Sequence, residues 1–201
     1  MEDRLTPELY LSLADAPMDG LAGTPGVERV TAWENLVPDR PELPRRVPEG
    51  RVLTVAEVGP GFVAPPGGVH FRRYPRPSQG CLTGRPTIGL LVVWISPKSP
   101  ELAQQVRDWS DFVHLRHIAA AGVPGYTVIT PYENVAGTDP RFMHFYEMDT
   151  DDPEGAYQLM PRLVAARLGR DTETYDIWAD WRRAGAYLVY CNTFIRRWVI
   201  G

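Results

Sequence analysis

The chain has 201 residues, 44% of them apolar, enough for a real core in one domain or two small ones. A formal net charge of −4 and a pI near 5.6 argue against nucleic acid or an anionic membrane as the main partner, since either selects a basic face. Two cysteines, Cys81 and Cys191, cannot make a disulfide framework, so a reducing cytoplasm is the expected compartment. The first seventeen residues, MEDRLTPELYLSLADAP, lack the basic and apolar regions of a signal peptide. The longest apolar run, Ile88–Ile95, is far too short to span a bilayer.

In chain order, Leu9–Leu13 predicts a short strand, and the Gly/Pro-rich residues 17–26 predict a loop. Val27–Leu36 and Arg51–Val58 are β-branched runs bounded by turn residues and predict strands. Residues 59–69 predict a loop, His70–Tyr74 a strand, and residues 75–87 a Pro/Gly/Ser-rich connection. Ile88–Ile95 is apolar throughout, as a strand covered on both faces would be. Ser99 and Pro100 begin a predicted helix running to about Ala121, with Leu102, Val106, Trp109, Val113 and Ala120 in one stripe. Tyr126–Val135 and Arg141–Met148 predict strands. Asp152-Pro153 opens a second helix, with Pro161 as a possible kink. Thr172 to about Arg183 predicts a third helix, and Ala186–Trp198 a last strand.

Blocks recur in the same order. PGVERVTAWENL (25–36) matches PGYTVITPYENV (124–135) at an offset of 99, and RVLTVAEV (51–58) matches RFMHFYEM (141–148) at 90. Arg72-Arg73-Tyr74 matches Arg196-Arg197-Trp198 at 124. A changing offset with preserved strand blocks predicts duplication in which one copy lost its helices. The expected organisation is a degenerate ferredoxin-like repeat at 1–75, a linker at 76–87, and a complete repeat at 88–201. The complete copy reads β-α-β-β-α-β, the split βαβ order.

Strand, histidine-bearing helix, Pro-Gly-aromatic, strand and a final Phe194-x-Arg196-x-Trp198 strand together resemble the dimeric α+β barrel superfamily. That group includes EthD-like proteins, antibiotic-biosynthesis monooxygenases, muconolactone isomerases and plant polyketide cyclases. The resemblance implies an α+β fold in which two tandem ferredoxin-like sheets pack as a barrel within one chain. It also implies a substrate cavity between sheet and helices, and some haem proteins share the fold. The helix-poor first half would leave a sheet face to be covered by the residues 59–87 and by a second subunit, so a homodimer is expected.

The densest constellation is HLRHIAAAGVPGY, residues 114–126. On an α-helical wheel, His117 and Arg116 flank the sheet-facing stripe, about 60° and −40° from its centre, and His114 points sideways at about 120°. His117 is suited to proton transfer or, equally, to capping the helix C-terminus. His144 shares a strand face with Phe142, Tyr146 and Met148 and reads as a pocket residue or as a satisfied core histidine. Glu57/Glu147 and the Glu34-Asn35/Glu133-Asn134 pairs read as structural, the asparagines as turn formers. Tyr126, Tyr146, Tyr190 and Trp109 are candidate lining aromatics, and Asn192 a polar contact two residues from Tyr190 on the same strand. No phosphate loop, dinucleotide fingerprint, nucleophile elbow or CxxC occurs. His114-x-x-His117 lacks the glutamate of a zinc-protease helix, and no metal is expected. The sequence reading is a cofactor-free enzyme for a small, hydrophobic, aromatic or polyketide-like molecule. His117, His144 or His114 would move the proton, and Arg116 would be at hand for substrate. Cofactor-independent oxygenation and non-catalytic ligand binding are the alternatives, and a haem held by one histidine remains open.

Overall fold

The computed structural model describes residues 7–200, with side chains described through Arg197. Among the described residues there are nine strands: β1 (Glu8–Ala14), β2 (Val27–Asn35), β3 (Val52–Val58), β4 (Val69–Arg73), β5 (Gln79–Gly80), β6 (Gly89–Pro97), β7 (Tyr126–Asn134), β8 (Phe142–Met148) and β9 (Ala186–Ile200). They form one antiparallel sheet in the order β4-β1-β3-β2-β9-β6-β8-β7-β5. A further pairing of β4 with β7, Phe71 opposite Asn134, closes the sheet on itself. Strands β1–β4 and strands β6–β9 each run fourth-first-third-second, which is the ferredoxin-like order.

Alternation along the strands explains the layers. Leu90, Val92 and Trp94 of β6 join Leu11, Trp33, Leu53, Phe71, Met143 and Phe194 in one buried cluster to which all eight long strands contribute. That cluster fills the barrel. Leu91, Val93 and Ile95 point the other way, into a second cluster with the helices. The helices are α1 (Ala103–Trp109), α2 (Leu115–Ala120), α3 (Pro153–Leu168) and α4 (Glu173–Ala179). Asp152 caps α3 by accepting from the Gly155 N–H at 2.9 Å, with Pro153 at its first position. Among the described residues the outer face of β1–β4 carries no α-helix, only a 3-10 turn at Leu21–Gly23. Met18, Leu21 and Phe62, from the loops on either side of β2 and β3, pack there on Tyr10, Val30 and Val58. The second loop lies so close that a Cβ on Gly68 would run into the Tyr10 ring.

The asparagines that end β2 and β7 behave alike. Asn35 Oδ1 accepts from Val37 N–H, and its Nδ2 donates to the Gly50 carbonyl. Asn134 does the same with Ala136 N–H and the Pro140 carbonyl. Each ties its strand end to the residues that lead into β3 or β8.

Two sequence expectations change, and one segment on which the sequence is silent takes a defined place. The helix expected from Ser99 to Ala121 opens with a 3-10 turn at Pro100–Leu102 and is broken by a π-helical turn at Ser110–His114, so α1 and α2 are separate segments. The expected linker 76–87 contains β5, which pairs with Ile129 and Val128 of β7. Residues 36–50, which carry no periodic signal, form a strap along β9, with Leu36 N–H on the Thr193 carbonyl (3.0 Å) and Arg46 N–H on the Val189 carbonyl (2.9 Å). Arg40 enters the interior from that strap at 3% exposure. Its guanidinium bonds Glu154 of α3 (2.5 Å), Glu42 (2.9 Å) and Asn192 Oδ1 of β9 (3.2 Å), and lies 4.8 Å from the Tyr157 ring centre. A buried cation is stable only with such compensation, and removing one partner leaves the rest uncompensated.

Arg40→Ala should therefore destabilise the fold by about 2–4 kcal/mol, near the range for breaking a buried pair. Glu154→Gln should cost less, because Glu154 is partly exposed and its amide still accepts. Urea unfolding of the two single variants and the double variant, read as a cycle, gives the coupling.

Candidate functional site

A cavity of about 520 Å³ opens on the helical face of β6, β8 and β9. Its floor is Leu91, Val93, Tyr146 and Cys191; α3 and α4 roof it with Tyr157, Met160 and Trp178; and the strap adds Leu43 and Pro44. Tyr157, Met160 and Pro161 follow i, i+3, i+4 spacing, so α3 turns one face to the cavity. Pro161 has no N–H to donate to the Tyr157 carbonyl, so the ladder of α3 loses one bond at this face.

His114 and Tyr157 are the titratable groups that the helices bring to this cavity, and burial keeps the Tyr157 hydroxyl protonated. The π-helical turn places His114 there. One extra residue in the turn rotates the residues after it by about 100° relative to an α-helical wheel. His114 is consequently 5% exposed instead of pointing sideways, Arg116 is exposed instead of flanking the sheet, and His117 is half-buried outside the lining. The His114 ring is held on several sides. It stacks on Trp178 at 5.2 Å and 7°, meets Trp181 edge-on at 4.9 Å, and lies against Trp109 at 4.8 Å with a 34° tilt. Its Nδ1 lies 3.1 Å from the Trp178 carbonyl, and Trp178 Nε1 donates back to the His114 carbonyl at 3.2 Å. A carbonyl can only accept, so Nδ1 carries the proton and Nε2 keeps its lone pair. Burial pushes the imidazole down to about 4, so it is neutral near pH 7.

The other sequence candidates are spread more widely. Tyr146 lines the cavity. Tyr126 packs edge-on behind it at 5.7 Å, outside the lining, with its hydroxyl buried and without a hydrogen-bond partner among the described residues. Trp109 backs His114 and donates to the Ile177 carbonyl at 2.7 Å. Tyr190 faces the barrel interior, its hydroxyl on Glu49 at 2.8 Å. Asn192 is occupied by Arg40 and by the Val37 carbonyl, to which it donates at 2.8 Å. His117 is held below its ordinary value by burial and by the charges of Arg167 and Arg116.

His144 does face the helices, as its strand alternation predicts, but it looks onto a separate small void with Ser110, Asp111, Arg107 and Phe142. Both its ring nitrogens lack a hydrogen-bond partner among the described residues. Burial, with the His114 ring nearby, pushes it to about 3. Asp111, beside the same void, is pushed up to about 6 by burial although Arg76 lies 3.1 Å away. Among the described residues no group of three or more His, Cys, Asp or Glu side chains could hold a metal.

The sequence reading missed Tyr157, Trp178, Trp181, Cys191, Leu43 and Pro44 as lining residues. The spacing on α3 could have found Tyr157. Nothing in the strap could have found Leu43 and Pro44, because their place depends on Arg40 and the β9 contacts. Cys191 looks like a nucleophile by position, yet burial pushes its thiol up to about 12, so it acts as an apolar wall.

No family model and no curated protein matches this sequence. Solved structures do resemble it. An anthrone oxidase-like protein superposes with a TM-score of 0.56 at 13% identity, over 96% of this chain and 91% of that one. A staphylococcal protein described as a major regulator of pathogenesis gives 0.55 at 8% identity, over 94% and 99%. A monooxygenase candidate from Fusobacterium nucleatum subsp. nucleatum gives 0.50 at 7% identity, over 96% and 94%. At such identities what is shared is the fold, an α+β barrel, built here from one chain.

Proposed function

We propose that this chain is a cofactor-free enzyme for a small, planar, hydrophobic molecule of aromatic or polyketide type, with His114 as the group that takes its proton. The observation that carries this reading is the state of His114 in the cavity wall: neutral, fixed in one tautomer by the Trp178 carbonyl, with Nε2 left to accept. A neutral imidazole in an apolar, aromatic site is available as a base across the physiological range. Its low pKa restricts it to substrates whose anion is delocalised over the rings and can pair with the imidazolium. In a cyclisation or isomerisation, the proton taken at one carbon returns at another. The chain itself we read as a tandem duplicate whose residues 1–75 kept the strands and lost the helices. The repeated strand order and the paired roles of Asn35 and Asn134 support that reading. A homodimer remains part of the proposal, and a one-chain mass in light scattering would overturn it.

Cofactor-independent oxygenation is the second reading, favoured by the similarity to the anthrone oxidase-like and monooxygenase-candidate structures. It begins with the same deprotonation. The carbanion then gives electrons to dioxygen, and a ring CH2 plus O2 becomes C=O plus water. Planar phenols and anthrone-type ketones, screened for product and for oxygen uptake, separate the two chemistries. Ligands that bind without turnover would make the chain a binding protein.

With a substrate in hand, His114→Phe should keep the ring stack and lower turnover by about 10²–10⁴-fold, the range for a lost general base. His117→Ala should leave turnover nearly unchanged. A comparable loss in His117→Ala or in His144→Leu, with His114→Phe unaffected, would move the base elsewhere. For the wild type, kcat/KM should stay flat from about pH 8 to about pH 5 and fall only toward about pH 4, where His114 gains its proton.

Stability should carry the same signature. His114 and His144 lie below their unfolded value, so between about pH 6.5 and pH 4 the unfolded chain binds protons that the folded chain refuses. The stability they lend is complete above that window and lost as pH falls through it. Asp111, pushed up, works oppositely, because the folded chain takes its proton first as pH falls below about 6. The two buried histidines, joined by His117, which is also held down, outweigh Asp111, so stability should fall between about pH 7 and about pH 4.5. Urea unfolding at both values should show this fall, and His144→Leu should make it smaller.

A further inference from the structure

The mouth of the large cavity differs from its interior. Its lining includes two cations, Lys98 just after β6 and Arg182 in the turn before β9, and both side chains are exposed. Hydrogen bonds join them on one rim: Lys98 N–H donates to the Gly185 carbonyl at 2.8 Å, and the Lys98 ammonium to the Arg182 carbonyl at 3.2 Å. Neither side chain is in an ion pair among the described residues. The nearby acids are engaged elsewhere. Asp180 accepts from the Arg182 and Arg183 N–H groups at 3.0 and 2.9 Å, and Asp139 accepts from Tyr187 Oη at 2.9 Å and from Ser96 Oγ. Inside, the polar groups carry no charge at neutral pH: His114 is neutral, and burial keeps the Cys191 thiol and Tyr146 hydroxyl protonated.

A ligand that fills this space has an apolar environment for its rings and a positive environment at one end only. We propose that the substrate is an aromatic acid anion, with its rings against Trp178, Tyr157 and His114 and its carboxylate at the mouth between Lys98 and Arg182. This rests on the reading of the cavity as the substrate site. The cations set which molecules are accepted and in which direction they enter. The carboxylate stays in the wet rim, where it avoids the cost of burial. The reacting end is thereby turned toward His114.

Two dyes of the same ring skeleton provide the test: 8-anilinonaphthalene-1-sulfonate, whose sulfonate stands in for the carboxylate, and the uncharged N-phenyl-1-naphthylamine. Each is titrated by fluorescence into the wild type, into Lys98→Met/Arg182→Met, and into Leu188→Trp, which fills part of the cavity. The sulfonated dye should bind about 5- to 10-fold more weakly to the double variant, as for two exposed charge contacts, and raised salt should weaken it in the wild type alone. The uncharged dye should be insensitive to both changes, and Leu188→Trp should weaken both dyes. An unchanged sulfonated dye in the double variant, or an equal loss for both dyes, overturns the assignment of the rim while leaving the cavity as the site. Dyes indifferent to Leu188→Trp overturn the cavity itself, and the rim proposal with it.

Discussion

An antiparallel sheet of eight long strands has two edges, each with a row of N–H and C=O groups that must find partners. In this chain the edges meet. β4 pairs with β7, and β2 pairs with β9 at the middle of the circuit, so each four-stranded unit completes the other. The hydrophobic interior depends on that closure, because only a closed sheet lets every strand send one face into the same cluster. The helical layer depends on it too. Once the inner face is full, the outer face of β6–β9 has to be covered from outside, and α1–α4 cover it incompletely. The uncovered part is the cavity.

The polar interior depends on where that closure loosens. β9 is fifteen residues long, while its pairing with β2 ends at Asn35 opposite Phe194. Beyond that point the strap takes over as the neighbour of β9, through backbone bonds from Leu36 and Arg46. A segment so placed needs an anchor, and Arg40 is that anchor, reaching through to Glu154 on α3. The strap, α3 and β9 are therefore tied together, and the cavity wall made by Leu43 and Pro44 is held by the Arg40 charge contact together with the backbone bonds that Leu36 and Arg46 make to β9.

Much of the barrel was legible in the sequence because strands announce themselves by alternation. Phe142, His144, Tyr146 and Met148 fall on the helical face as a period of two requires, and the eight apolar residues of Ile88–Ile95 correspond to a strand buried on both sides. The paired Asn35 and Asn134 turns were legible for the same reason, as local chemistry in a local pattern. The helix carrying the histidines was not. Its wheel assumes a constant angle per residue, and the π-helical turn at Ser110–His114 breaks that assumption at the residue that matters most. Such a turn has no sequence signature of its own; it is stabilised here by contacts from α4, Trp178 above all, which lies 64 residues away. Tyr190 and Asn192 failed for a different reason: they share a strand face with each other, but that face turns into the barrel and toward the strap.

The two units of the barrel share a strand order but not a cover. Over β6–β9 four helices leave a space of about 520 Å³, while over β1–β4 Met18, Leu21 and Phe62 fill the equivalent ground directly. A barrel of two identical units would offer two equivalent roofed sites across its axis. Among the described residues the roofed cavity lies over β6–β9 alone, because the loops that replace helices over β1–β4 pack directly on the sheet. With that cavity as the ligand site, one chain takes one ligand and gives a hyperbolic isotherm. A sigmoidal response would then point to association between chains.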